Sequence, residues 1–428
     1  MKHGMKKNYK QILGLMVVII SLVGSSVGLG GAQVDAATSS QNPDAKRAFS
    51  HMVFLGDSIT AGYEPGVKAT NYDGFALRIA EQGLFRSAVQ SQNHSILGLT
   101  STGLDNYLSE VTAGSKITTN DIQANLPGAV YSLNTIQAKK DIAQADLITV
   151  TIGGNDFLNA LGSLNELPQD ISSLNLDQVG TKYKINIDHI MKQLTSLNAK
   201  AVIVVADQYQ PMPAEVGTQL YAGLNTVANQ FSQIVDQTVK SYVAQGYDVR
   251  VAHVSKDFPG KELAMTHIAE GDIHPNQTGY DAIAHTFAQT IWGSKGDRTP
   301  FIKGQSATST TPVIVTNGQP LQTAYAPLIR KGKTYVTLRD VTTALGATVN
   351  WSNATQTATI QSGKNKISIP VNSKQIKVNG ATQAIDNSAF IQTTKGTQKV
   401  YVPLTVLTQA FDYNVQYVAR WKAVFIRS

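Results

Sequence analysis

Apolar residues in this chain fall into two alternating patterns. Short continuous runs at 52–55, 95–97, 147–152, 201–206 and 249–254 read as buried strands. Between and after them, 220–243 and 280–292 repeat apolar residues at helical spacing. Strand and helix in alternation predict a parallel sheet covered on both faces. Ligands of such sheets bind beyond the carboxyl ends of the strands, so the segments that follow the strands are where chemistry is expected.

The alternation stops after Trp292. Gly293 to Pro300 reads Gly-Ser-Lys-Gly-Asp-Arg-Thr-Pro, and 304–312 is rich in Ser and Thr without an aromatic, so 295–311 is expected to be a flexible linker. Beyond it lies an internal repeat. Tyr335-Val336-Thr337-Leu338 recurs as Tyr401-Val402-Pro403-Leu404, Val349 with Trp351 as Val415 with Tyr417, and Ile360 as Ile426, all at an offset of 66. Asn317-Gly318 and Asn379-Gly380 recur at 62, and Asn-Gly flanked by alternating apolar residues signals a hairpin. A mostly β unit with one short helix, 339–345, is predicted for 312–428.

The other end carries a different pattern. Lys2, Lys6, Lys7 and Lys10 precede an apolar run at 12–23, and Val34-Asp35-Ala36 offers small residues for cleavage. A core of about a dozen apolar residues falls short of the roughly 20 a spanning helix needs. Residues 1–36 are therefore expected to be a signal peptide, followed by a short segment 37–50, a first domain 51–294, the linker, and the repeat domain.

Composition adds constraints. Cysteine is absent, so stability comes from burial without disulfides. A chain of 428 residues with 42% hydrophobic content can bury two cores. Together these features suggest a protein secreted by, or held at the surface of, a Gram-positive bacterium. Charge is unevenly placed: 4 Lys against 1 Asp in 1–36 (+3), 19 Lys and Arg against 25 Asp and Glu in 37–304 (−6), and 13 against 3 in 305–428 (+10), which sum to +7. A basic tail on an acidic body fits an anionic partner, a cell-wall polymer foremost, with no nucleic acid expected; lysines that serve only solubility are the plainer explanation.

Four distant blocks hold the candidate chemistry: Gly56-Asp57-Ser58-Ile59-Thr60, Gly98-Leu99-Thr100-Ser101, Gly153-Gly154-Asn155-Asp156 and Asp272-Ile273-His274-Pro275-Asn276. They supply a serine, backbone and amide donors, and a histidine flanked by carboxylates. Acyl transfer needs such parts, because a hydroxyl is a weak nucleophile until a base takes its proton and the oxyanion must meet preplaced donors. Ser58 follows a predicted strand and would open a helix, leaving its amide unpaired. A glycine at 98 would let a substrate oxygen approach the backbone without meeting a Cβ. Taken singly, Ser58 could cap a helix, Gly98 could serve a turn and Asn155 could brace a loop.

The blocks resemble those of the SGNH hydrolases, also called the GDSL lipase and esterase family, over residues 51–294. The resemblance implies a three-layer α/β/α, flavodoxin-like parallel sheet and hydrolysis of carboxylic esters with no metal or cofactor. It implies Ser58 as nucleophile, His274 as base, and an oxyanion hole made by the amides of Ser58 and Gly98 with the Asn155 side chain. One position departs from the pattern: the family's acid stands three residues before the histidine, where this chain has Gly271. Asp272 is the first choice for that role and Glu270 the reserve, with a backbone carbonyl as a third way to orient the ring. A surface-binding protein whose hydrolase-like body has lost turnover is the alternative function.

A metal site is not indicated, since HExxH, cysteine pairs and clustered histidines are all missing. Residues 312–428 resemble the copper amine oxidase N-terminal-like domain, but no His, Cys or Met follows His285, so copper ligands are lacking there. The long segments 104–146 and 157–183 are expected to wall the substrate pocket. Leu158, Leu161, Leu164 and Leu167 either line an apolar groove or pack against the body. A lipid, a short acyl ester and an acetylated glycan all remain open as substrates.

Overall fold

The computed structural model describes residues 43–162, 167–168, 170–171, 174–298 and 312–428. The expected signal peptide, most of the expected linker and Leu164 lie outside them. Five strands form one parallel sheet: β1 (His51–Gly56), β2 (Gln90–Ser95), β3 (Leu147–Thr151), β4 (Val202–Ala206) and β5 (Val249–Ala252). Their order is β2-β1-β3-β4-β5, with every pairing parallel. This flavodoxin-like order reverses direction between β1 and β3, which opens a crevice at their carboxyl ends.

Alternation along the strands builds the layers. Met52 and Phe54 of β1 and Val202 and Val204 of β4 face one core, while Val53, Leu55, Ile203 and Val205 face the other. Helices α2 (Phe75–Gly83) and α8 (Gln277–Trp292) cover the first face through Phe75, Ile79, Ile283 and Phe287. The second is covered by α3 (Ser101–Ala113), α4 (Thr135–Gln144), α6 (Leu176–Leu197) and α7 (Thr218–Ala244). Two short helices, α1 (Ser58–Ala61) and α5 (Gly154–Leu161), stand at the carboxyl ends of β1 and β3.

One expected strand is misplaced. Residues 95–97 were expected to be extended, but β2 ends at Ser95, and Ile96 to Leu99 form a turn closed by the Leu99 amide on the Ile96 carbonyl at 3.3 Å. As an edge strand with mostly exposed side chains, Gln-Ser-Gln-Asn-His-Ser needs no apolar run.

In the C-terminal region β6 (Val313–Thr316) and β7 (Gln319–Pro320) flank one Asn-Gly turn. β8 (Leu328–Arg330), β9 (Lys333–Thr337), α9 (Leu338–Ala344) and a meander of β10 (Thr348–Ser352), β11 (Thr357–Ser362), β12 (Asn365–Pro370), β13 (Gln375–Val378) and β14 (Ala381–Ala384) follow. The chain ends with β15 (Phe390–Thr394), β16 (Thr397–Pro403), α10 (Leu404–Phe411), β17 (Asn414–Val418) and β18 (Ala423–Arg427). Both Asn-Gly turns carry positive φ at both residues, 47° and 80° at 317–318 and 50° and 89° at 379–380, as a type I′ hairpin requires. The repeat explains the pairing of β9 with β16. Val336 lies opposite Val402, and Tyr335 and Thr337 lie opposite Pro403 and Tyr401, so equivalent residues meet about a local twofold axis. It also explains α10, a second helix that a single-helix reading of the unit omits.

This region is packed directly onto α2 and the turn after it. Val315, Val418, Trp421, Ala423 and Phe425 join the first core, and the ring of Phe85 lies 5.0 Å from that of Phe425. Arg420 reaches Asp73 and Glu81, each at 2.7 Å, and the Gln416 amide bonds both backbone groups of Val89. The start of the expected linker is also fixed. Asp297 accepts from Gln82 at 3.0 Å and pairs with His285, and the Arg298 amide donates to Gln82 at 2.8 Å.

Candidate active site

The turn between β1 and α1 sets the position of Ser58. Asp57 caps α1 by accepting from the Ile59 amide at 3.0 Å and also accepts from the Thr151 hydroxyl at 3.0 Å, which ties the turn to β3. A Cβ on Gly56 would stand 2.1 Å from the Thr151 carbonyl oxygen, so only glycine permits this approach. The Asp57 carboxyl is fully buried, and burial pushes it up to about 6 despite those hydrogen bonds and the nearby His274 ring. Ser58 is the first residue of its helix, and its amide has no acceptor among the described residues.

His274 reaches Ser58 from a loop more than two hundred residues away in sequence. Its Nε2 lies 2.8 Å from the Ser58 Oγ, and its Nδ1 lies 2.6 Å from Oδ1 of Asp272. The same Asp272 oxygen accepts from the His274 backbone amide at 2.9 Å. Burial works to raise the Asp272 carboxyl, but the hydrogen bonds from the His274 ring and amide and the nearby imidazole charges outweigh it and hold the group below its ordinary value. Gly271 has φ +83°, so the backbone turns there in a conformation that disfavours an acid, and the carboxylate meets the ring from the next position. Glu270 is exposed, with its carboxylate 3.9 Å from His267 Nδ1 and no hydrogen bond to His274.

The loop is braced from behind. The His267 amide donates to the His274 carbonyl at 2.9 Å, the Tyr209 hydroxyl to that of Ile273 at 3.0 Å, and the Tyr63 ring packs 4.5 Å from the imidazole. Asn276 caps α8 through the amides of Thr278 and Gly279. His267 pairs with Glu64 at 3.1 Å. His94, His189 and His253 pair with Asp141, Asp105 and Asp207, none of which adjoins a candidate nucleophile.

Asn155 lies in the first turn of α5. Its Nδ2 donates to the Leu99 carbonyl at 2.9 Å, which brings it to the residue beside Gly98 and leaves its second N–H unassigned. The Gly98 amide has no acceptor among the described residues. The protein itself also requires glycine at 98: with φ +74°, a Cβ there would stand 2.5 and 2.9 Å from ring carbons of Pro127. Gln123 holds this turn by donating to Gly98 O at 3.0 Å and accepting from Thr100. Asp156 accepts the Ser101 hydroxyl at 2.5 Å and its amide at 2.8 Å. Asp156 stands inside a recognised block, whereas Gln123, Glu64 and His267 carry no sequence signal.

A narrow cleft opens beside Ser58 and is mainly apolar. Phe157, Leu158 and Leu161 form one wall and Leu224, Val227 and Phe231 of α7 the other. Leu167 packs on the Leu161, Met212, Leu220 and Leu224 cluster and does not line the cleft. Among the described residues, no three His, Asp or Glu side chains converge as metal ligands would. A hydroxyl bonded to an imidazole that is itself bonded to a carboxylate, next to unpaired amides, is the arrangement that activates a nucleophile and receives an oxyanion.

Residues 52–287 match the family model of GDSL-like lipases and acylhydrolases, and 315–426 match that of the copper amine oxidase N-terminal domain. The chain is 25% identical over 155 residues to the uncharacterised protein YpmR of Bacillus subtilis strain 168, covering 36% of this chain and 57% of that relative's length. Similar solved structures include the lipase Lip_vut3 from a goat rumen metagenome (18% identity, 57% of this chain and 99% of that one, TM-score 0.40). Another is Axe2, an acetylxylan esterase from Geobacillus stearothermophilus (15% identity, 57% and 96%, TM-score 0.37).

Proposed function

The chain belongs to the GDSL-like lipase and acylhydrolase family, and on that premise we propose that it hydrolyses carboxylic esters of an aliphatic acyl group through an acyl-enzyme on Ser58. His274 Nε2 takes the Ser58 proton as Oγ attacks the ester carbonyl carbon. The oxyanion is received by the amides of Ser58 and Gly98 and by the second N–H of Asn155, whose first N–H is held by Leu99. His274 then returns the proton to the leaving alkoxide, Asp272 stabilises the imidazolium, and water activated by the same base releases the acid.

The observation that carries this reading is the unbroken hydrogen-bonded chain from Ser58 Oγ through both nitrogens of His274 to Asp272. The apolar walls of the cleft support an acyl chain as the group bound there. Nothing at the site favours a body without turnover. A fluorophosphonate probe is expected to label the protein and to fail on Ser58→Ala; labelling that persists in the variant refutes the nucleophile. On aryl esters of increasing chain length, kcat/KM is expected to rise up to about fourfold per methylene until the cleft fills, since each buried CH₂ is worth about 0.8 kcal/mol. A preference for acetyl esters overturns the reading of a longer acyl chain in the cleft and leaves the serine chemistry standing.

Export and residence at a cell surface belong to the same proposal, supported by the lysine-rich start, the apolar run and the small residues at 34–36. A mature chain beginning at Ala37, read by mass spectrometry of the secreted protein, is the expected result.

A further inference from the structure

A second concavity, open to solvent, lies wholly within the C-terminal region among β9, α9, β10, β15 and β16. Its walls combine an aromatic ring, cations and neutral polar groups. Trp351 of β10 contributes the ring and is only half-buried, whereas the other two tryptophans, Trp292 and Trp421, are buried in the first core. Its indole N–H donates to Asn353 Oδ1 at 2.6 Å, which fixes the plane of the ring.

Two cations face this space. Arg339 is exposed, and its guanidinium has no partner among the described residues. Lys399 lies 4.4 Å above the Tyr325 ring and pairs with no carboxylate among the described residues. The single acid in the wall, Asp340, has one oxygen engaged by the hydroxyls of Thr323 and Thr337, at 2.5 and 2.6 Å. Gln398 and Thr397 add an amide and a hydroxyl.

We propose that this cleft binds an anionic polysaccharide, with a sugar ring against Trp351 and its acidic group at Arg339. A pyranose presents an apolar C–H face and a rim of hydroxyls, which suits an aromatic wall edged by Gln398 and Thr397. A carboxylate or phosphate on that ring matches the fork of an arginine that no protein acid has neutralised. The site stands apart from Ser58 and does not depend on the ester chemistry.

The test uses the full chain and polygalacturonate as probe, with dextran as neutral control and inorganic polyphosphate as an anion without sugar rings. Polygalacturonate is expected to retard the protein in an affinity gel and to shift its tryptophan emission, with dextran inert and polyphosphate at least tenfold weaker. Binding is expected to fade in about 0.5 M salt as screening shortens the reach of the charges. Arg339→Glu, a change at an exposed position, is expected to weaken binding tenfold or more, consistent with loss of one charge-assisted hydrogen bond. Trp351→Phe is expected to abolish the emission change, and both variants are expected to hydrolyse a soluble aryl ester at the parent rate. Parent-like binding by Arg339→Glu, equal binding of dextran, or polyphosphate as strong as polygalacturonate would each overturn the assignment.

Discussion

Replacing Asp272 by asparagine separates two tasks that one oxygen performs. Asp272 Oδ1 holds both the ring nitrogen of His274 and its backbone amide, at 2.6 and 2.9 Å. In the serine-protease triad the same change costs about 10⁴ in kcat because the imidazole adopts the wrong tautomer. Here the backbone amide demands an acceptor at that spot, so the asparagine carbonyl is held there and its NH₂ is turned away. The tautomer survives, and what is lost is the charge opposite the imidazolium. At about 4 Å and an effective dielectric near 20, that attraction is about 4 kcal/mol, or roughly 10³ in rate. The Asp272 side chain is 26% exposed, and water lowers the figure, so kcat on a short aryl ester is expected to fall by about 10² to 10³. Asp272→Ala loses orientation as well and is expected near the 10⁴ of the triad. Glu270→Gln, facing His267, is expected to stay within about twofold, as surface changes do. An asparagine variant within about fivefold of the parent would leave the carboxylate without a role, and one as slow as Asp272→Ala would refute the pinned carbonyl.

Three further outcomes follow from the same geometry. Asn155→Ala is expected to lower kcat by about 10² to 10³ with little change in KM, the usual cost of one oxyanion donor, and a parent rate removes Asn155 from that set. Asp57→Asn tests burial: with the carboxyl raised from 3.8 to about 6, its neutral form favours the fold, so the benefit is complete below pH 4 and is lost as pH climbs through 6, about 3 kcal/mol in all. Because an asparagine carbonyl can keep the Ile59 and Thr151 hydrogen bonds, the variant is expected to outlast the parent in urea at pH 8 and to match it at pH 4; a gap independent of pH would rule this out. Arg420→Ala leaves Asp73 and Glu81 without their shared cation and is expected to cost roughly 2 kcal/mol at pH 8, less than for a fully buried pair because Arg420 and Asp73 are partly exposed. The cost is expected to shrink at pH 6, because burial already raises the Glu81 carboxyl to about 7 and protonation removes the need for the cation; an equal loss at both values contradicts it.

What could be read from the sequence follows from where burial leaves a pattern. β1, β3 and β4 are covered on both faces and announce themselves as continuous apolar runs. β2 is an edge strand of polar residues, so the neighbouring Ile96 and Leu97 drew the expected strand into a turn. The four blocks were legible because each is local, a few residues at a strand end. The bracing of the histidine loop was not: Glu64 and His267 stand 203 residues apart, and no periodicity links them. The packing that requires glycine at 98 was hidden as well, since the Pro127 ring lies in a segment without a motif. The docking of the C-terminal region was hidden too, because Phe85, Trp421 and Phe425 look like residues of separate cores until the fold joins them.

That docking changes how the uneven charge of the chain is to be read. A total of +10 over 305–428 invites the idea of a uniformly basic tail seeking a polymer. The structure divides that total. Arg420 serves Asp73 and Glu81, and Arg427 serves the Leu84 carbonyl at 2.9 Å, so both are engaged by the body they dock on. The acidic residues that Arg420 meets lie beside Arg78, whose guanidinium also reaches Asp281 at 2.8 Å and the Gln277 carbonyl at 3.1 Å, at the start of the helix that follows the histidine loop. Gln277 in turn bonds Glu64, the partner of His267, whose amide holds His274. Part of the basic charge therefore completes a structural network that ends under the proposed base, and binding of an outside polymer must be argued from cations that remain unspent, of which Arg339 at the Trp351 cleft is the clearest.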